Sequence, residues 1–205
     1  MTKDPAPTVF VVDDDAAVRR TLRLLMRSVN LGVETFASAE EFLAGYDPDR
    51  PGCLVLDLRM PGMTGLDLQR RLAEREIPIP IVMISAHGDI PIAVRAVREG
   101  AVDFLEKPFR EHLLLERIDA ALQRDAERRR QATAQARAAE RFSRLTHRER
   151  EVLDHLVSGQ TTKQIAREFG VTTQAVDAHR GRIMSKLGVG SVAELVRAVL
   201  AADPG

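Results

Sequence analysis

Apolar runs of the chain end, one after another, in a polar residue. Residues 8–12 run into Asp13, Asp14 and Asp15; 53–56 end in Asp57; 79–84 end in Ser85; 102–106 lead into Lys107 and Pro108. Short runs rich in Val, Leu and Ile and bounded by turn residues predict buried strands. Five strands are expected near 8–13, 32–36, 52–57, 79–85 and 102–106. Between them, apolar positions recur at helical spacing near 16–30, 38–46, 65–75 and 90–99, and again from 110 onward. Ser38 with Glu41 predicts a capping box, Asp15 an N-cap before Ala16, and Asp89 a cap with Pro91 in the following turn. Strands alternating with helices predict a parallel sheet covered on both faces.

Beyond Phe109 the pattern changes. Residues 110–157 contain neither Gly nor Pro, and their Ala, Gln, Glu and Arg content favours helix. The last helix of the front half is therefore expected to continue into a helical linker over 124–142. Ala132, Ala136 and Ala139 make only a weak coiled-coil seam, so a solvated spacer is the simpler expectation. Residues 143–202 then divide into four short helices. Thr146 caps the first, with Glu149 three residues on; Thr161 opens the second, which ends at Gly170. Thr172 or Thr173 opens the third, ending at Gly188, and Ser191 the fourth. The domains expected are 1–123, a linker over 124–142, and 143–205.

Charge sharpens this division. The 205 residues carry 30 Lys and Arg against 30 Asp and Glu. By segment the balance is −5 over 1–123 (15 basic, 20 acidic), +3 over 124–142 (6 and 3) and +2 over 143–205 (9 and 7). An acidic front and a mildly basic rear suit a signalling module joined to a nucleic-acid binder. Cys53 is the single cysteine, so an internal disulfide is excluded, and its place in an apolar run makes it a core residue. No stretch is apolar and long enough to span a bilayer and no signal peptide is present, so a cytoplasmic protein is expected.

A parallel sheet brings its strand ends to one edge, where ligands collect in open α/β sheets. Here that edge would carry an acid cluster, a central carboxylate, a hydroxyl and a lysine. Clustered carboxylates suit a hard cation such as Mg²⁺. A carboxylate beside it can accept a phosphoryl group as a nucleophile, with the lysine and hydroxyl steadying the phosphoryl oxygens. On Asp13, Asp14, Asp57, Ser85 and Lys107-Pro108, the first 120 or so residues resemble the receiver domain of two-component response regulators. The resemblance implies a flavodoxin-like fold, with Asp57 phosphorylated by a sensor histidine kinase. It also implies Mg²⁺ held by Asp14, Asp57 and the backbone carbonyl of Arg59, with Asp13 ligating through water, and Ser85 and Lys107 binding the phosphoryl group. Arg59 and His87 stand at positions that tune the lifetime of that group. Phe104 stands where the family has its switch aromatic, and Val94, Arg95, Arg98 and Asp103 on the face that would pair two receivers.

In the rear half, two helices around Gly170-Val171-Thr172 form the pattern of a helix-turn-helix, whose second helix enters the DNA major groove. Its expected DNA-facing residues are Thr173, Gln174, Asp177, Arg180, Arg182 and Lys186, with His179 in a positional role. The runs 145–153, 163–166 and 176–179, with Lys186 and Leu187, resemble the LuxR-type DNA-binding domain. The whole chain is thus similar to response regulators of the NarL/FixJ group, on the FixJ side. Asp177 departs from the basic or polar reader common there; it repels phosphate but can accept from cytosine N4.

The function expected is a phosphorylation-activated DNA-binding transcriptional regulator that dimerises on phosphorylation and binds promoter DNA, with RNA polymerase as a further candidate partner. It is not expected to be an enzyme with an external substrate. Two rival readings are a phosphotransfer sink and a phosphoesterase working through an aspartyl phosphate. Against the second, Arg59 stands where a further acid is needed.

Overall fold

A computed structural model describes residues 6–86 and 90–202. The chain divides into two compact units, Met1–Arg129 and Arg130–Gly205.

The first unit alternates strand and helix in the order β1 (Thr8–Val12), α1 (Ala16–Ser28), β2 (Gly32–Phe36), α2 (Ala39–Gly45), β3 (Gly52–Asp57), α3 (Gly65–Glu74), β4 (Ile81–Ser85), α4 (Ile90–Arg98) and β5 (Asp103–Glu106). The sheet is wholly parallel, in the order β2-β1-β3-β4-β5. Because alternate strand residues point to opposite faces, two cores form. Phe10, Val12, Leu54, Leu56 and Met83 pack on one side with Phe42, Leu68, Leu72 and Ala96 from α2, α3 and α4. Val9, Val11, Cys53, Val55, Val82 and Ile84 pack on the other with Leu22 and Met26 of α1 and Leu114 and Ile118 of α5 (Glu111–Ser143). Burial pushes the Cys53 thiol up to about 12, as befits a core residue.

Capping sets several helix starts. Asp15 Oδ1 accepts from the Ala17 amide at 2.7 Å. Ser38 caps α2, and Thr64 with Asp67 forms a capping box on α3. The expected cap at Asp89, like His87, lies outside the described residues. The packing of the first unit runs along α5 as far as Arg129. Asp125, only 2% exposed, accepts from the Gly52 amide at 3.0 Å and pairs with Arg128 and Arg129. The Arg129 guanidinium also donates to the carbonyls of Pro48, Asp49 and Arg50.

The second unit holds the last stretch of α5 and four further helices: α6 (His147–Val157), α7 (Thr162–Phe169), α8 (Thr173–Leu187) and α9 (Val192–Ala202). Thr146 with Glu149 and Thr161 with Gln164 form capping boxes, and Thr172 caps α8. Gly170 and Gly188 end α7 and α8 in the left-handed conformation that glycine adopts without penalty. Leu145, Val152, Leu156, Ile165, Val176, Ile183, Leu187 and Leu195 close one core.

Candidate functional site

Register assembles the first site. Val12 pairs with Leu56 across β1 and β3, so Asp13 and Asp57 emerge side by side at the carboxyl edge. Ser85 pairs with Glu106 across β4 and β5, which sets Lys107 one residue beyond. The Lys107 amide donates to the Ser85 carbonyl at 2.7 Å, and the Lys107–Pro108 peptide is cis. From there the Lys107 ammonium reaches Oδ2 of Asp13 and Oδ1 of Asp57, each at 2.7 Å. Asp57 Oδ2 accepts from the Arg59 amide at 2.8 Å, and Asp13 Oδ1 from the Asp15 amide at 2.9 Å.

Asp13, Asp57 and Ser85 are buried, whereas Asp14 and Arg59 are exposed at the rim. Burial pushes the Asp57 carboxyl above its usual range, against the pull of Lys107. Burial also opposes the Lys107 ammonium, but its bonds to Asp13 and Asp57 prevail and hold its pKa high. The buried set of two carboxylates and one ammonium retains one net negative charge, and Asp14 adjoins it in sequence. Two acids in excess over the lysine suit a hard divalent cation with oxygen ligands. Among the described residues the side chains do not gather three or more His, Cys, Asp or Glu at metal-ligating spacing. A cation here would take Asp14 from the rim and share the acids with Lys107.

Gly65 packs against the backbone at Asp57 and Leu58. A β-carbon there would stand 2.4 Å from the carbonyl oxygen of Asp57 and 3.1 Å from Sδ of Met83, so the loop after Asp57 can fold back only over a glycine. Between α4 and β5, Val94, Val97, Arg98, Asp103 and Phe104 line a shallow groove with Ala93. Phe104 is half-buried there. Arg95 pairs with Glu99 at 2.7 Å and Asp103 with Arg117 at 2.6 Å. Ile90 and Val97, 75% and 48% exposed, belong to the same apolar helix, α4; their exposure follows from how α4 docks, which periodicity alone does not reveal.

In the second unit, α7 and α8 form the expected helix pair. Val176, Ile183 and Leu187 are buried, which turns Gln174, Ala178, Gly181 and Ser185 outward with Asp177 and Arg182 flanking them. Thr173 is exposed and Arg180 partly buried. Lys186 has a partner within the second unit. Its ammonium binds Oε2 of Glu149 at 2.6 Å and the Arg144 carbonyl at 3.1 Å, so it secures α8 to α6. The Lys186 hydrogen bond, with the Thr146 amide behind it, holds the Glu149 carboxyl down at about 2. His179 sits within 3.1 Å of Arg182 Nη2.

Comparison with known proteins agrees with both halves. Residues 9–119 match the response regulator receiver domain, and 143–199 match the bacterial regulatory proteins of the luxR family. Nodulation protein W of Bradyrhizobium diazoefficiens is 47% identical over 92% of this chain and 83% of its own length. The transcriptional regulatory protein FixJ of Azorhizobium caulinodans is 43% identical over 95% and 92%. Among solved structures, response regulator StyR aligns with a TM-score of 0.89 at 51% identity, covering 95% of this chain and 98% of StyR.

Proposed function

The chain belongs to the response regulators of the NarL/FixJ group, with a receiver domain followed by a LuxR-type DNA-binding domain, and from that premise we propose how its own residues carry the signal. The protein is a transcriptional regulator activated by phosphorylation, with a histidine kinase upstream and DNA downstream. Asp57 is the phosphoacceptor. The observation that carries this assignment is the Lys107 ammonium, 2.7 Å from both Asp57 and Asp13 at one edge of the sheet.

A carboxylate oxygen of Asp57 attacks the phosphorus of the kinase's phosphohistidine. The new O–P bond forms as the P–N bond breaks, and the imidazole leaves with a proton from solvent. Asp13, Asp14, Asp57 and the Arg59 carbonyl would hold Mg²⁺, which when bound offsets charge on the phosphoryl oxygens. Lys107 and Ser85 turn toward those oxygens, since the phosphoryl group carries more charge than the carboxylate it replaces. The pull on β4 and β5 reaches Phe104 and the groove beside it, and the receiver is the two-state element biased by that charge. Two receivers then pair through Val94, Arg95, Arg98 and Asp103. The dimer presents two α8 helices, with Thr173, Gln174, Asp177, Arg180 and Arg182 toward DNA. We place this activity in the cytoplasm; among the described residues no helix is long and apolar enough to cross a membrane.

Intact mass after incubation with acetyl phosphate tests the assignment. Wild type should gain one phosphoryl group only with Mg²⁺, and Asp57→Asn should gain none. An adduct of equal yield in Asp57→Asn would move the phosphoacceptor elsewhere.

A further inference from the structure

The outward face of α8 carries one acid in its first two turns, Asp177, on a helix expected to meet a polyanion. An exposed carboxylate there repels phosphate, so it weakens binding wherever it lies against the sugar–phosphate backbone. Inside the groove the same carboxylate has partners. It is an acceptor with no proton to give at neutral pH. Cytosine offers the N4 amino group without a neighbouring acceptor on its own edge, adenine sets N7 beside its amino group, and guanine and thymine present acceptors.

Asp177 is exposed on that face, at the side nearest α7. Asp177 Oδ1 accepts from the Thr162 hydroxyl of α7 at 3.4 Å, and among the described residues no protein donor is recorded on Oδ2. The helix also leaves it room. Gly181, one turn on, is exposed, and a β-carbon built there would meet nothing within 4 Å. Packing does not require glycine at this position, and mid-helix glycine is unfavourable. With Ala178 beside it, the centre of the outward face is flat between Gln174 and Ser185. A short carboxylate reaches a base edge only if its helix backbone lies close to the groove floor, and this face permits that approach.

We propose that Asp177 is a specificity-determining residue that reads a cytosine in each half-site by accepting a hydrogen bond from its N4 amino group, with the Ala178–Gly181 face set against the groove floor. The proposal rests on α8 being the DNA-reading helix.

The test is selection of binding sites from a random duplex pool by the full chain, phosphorylated with acetyl phosphate, followed by titration of single-base variants. Wild type should select cytosine at one position per half-site and lose about tenfold in affinity when it is replaced. Asp177→Ala should lose that preference while keeping the others. Asp177→Asn, which keeps an acceptor but adds an amide donor, should shift the preference from cytosine toward adenine. Gly181→Leu should bind all sequences poorly while its unfolding midpoint holds or rises. Unchanged preferences in both Asp177 variants, or wild-type DNA affinity in Gly181→Leu, would overturn the proposal with the DNA-binding reading intact. Failure of wild type to select any sequence would overturn that reading itself, and this inference with it.

Discussion

At Gly65 the obstacles to a side chain are backbone atoms, the Asp57 carbonyl oxygen at 2.4 Å and Leu58 Cα at 3.0 Å, and they cannot rotate away. Gly65 also donates its amide to the Leu58 carbonyl at 2.9 Å, which fixes the loop against the strand that carries Asp57. Gly65→Ala is therefore expected to cost about 1–3 kcal/mol, as overpacking does, and to slow phosphoryl uptake because the strain falls on Asp57. Urea unfolding and the rate of labelling by acetyl phosphate measure the two effects; wild-type values for both would mean that the loop yields freely. Sequence exposed Asp57, Asp13, Ser85 and Lys107, because each follows an apolar run. It exposed Gly65 only as part of a Pro/Gly loop, since the demand for glycine arises from Asp57, Leu58 and Met83 meeting in space. The Lys186 contact was hidden for a related reason. A basic residue on a wet helix gives no sign in sequence of its partner Glu149, 37 positions away.

Two elements gain their definition from buried carboxylates. In α5, Asp125 ties the helix to the start of β3 while Arg129 grips three consecutive carbonyls of the preceding loop. Removing Asp125 leaves the Gly52 amide and two guanidinium groups short of a partner. Asp125→Ala should destabilise the first unit by about 3 kcal/mol and speed hydrogen exchange at Gly52 and along residues 124–129. Unchanged exchange there would show that apolar packing alone holds this part of α5. In α6, Glu149 closes the capping box on Thr146 and reaches Lys186. Its folded pKa of about 2 lies below the ordinary 4.5, so its contribution is complete above pH 4.5 and is lost as pH falls toward 2. Glu149→Gln should thus be less stable than wild type at neutral pH, by about 1–3 kcal/mol, and the gap should narrow between pH 4.5 and 2. Hydrogen exchange at the α8 amides of the full chain follows it, and a gap independent of pH would detach the effect from ionisation. The elements themselves were plain from periodicity and caps: all five strands and the nine helices described fall within a few residues of expectation. Helix α5 is the instructive case. Its length was legible in the absence of Gly and Pro, but beyond the apolar contacts of Leu114, Ile118 and Ala121 its hold on the first unit rests on the Asp125 and Arg129 contacts, which resemble ordinary solvated charges in the sequence.

Across the whole molecule, zero net charge conceals a weak electrostatic grip on DNA, since residues 143–205 carry only +2 and Lys186 is engaged with Glu149. Few phosphate contacts mean modest affinity for one module, so strong binding calls for two modules acting together, with the second held at high effective concentration. The face proposed above for pairing two receivers includes α4, where Ile90, Val94 and Val97 are 75%, 44% and 48% exposed. An acid introduced there would be desolvated in the dimer and solvated in the monomer, and it would lie outside the Asp13, Asp57 and Lys107 cluster. Val97→Glu should accept a phosphoryl group at the wild-type rate, stay monomeric in sedimentation where phosphorylated wild type should dimerise, and bind a two-fold DNA site roughly 10- to 100-fold more weakly. Asp57→Asn should show the same weak binding for a different reason, lacking the phosphoryl group altogether. If phosphorylated Val97→Glu bound DNA as tightly as wild type while remaining monomeric, phosphorylation would act by uncovering α8 within one chain, and pairing of receivers would have no part in activation.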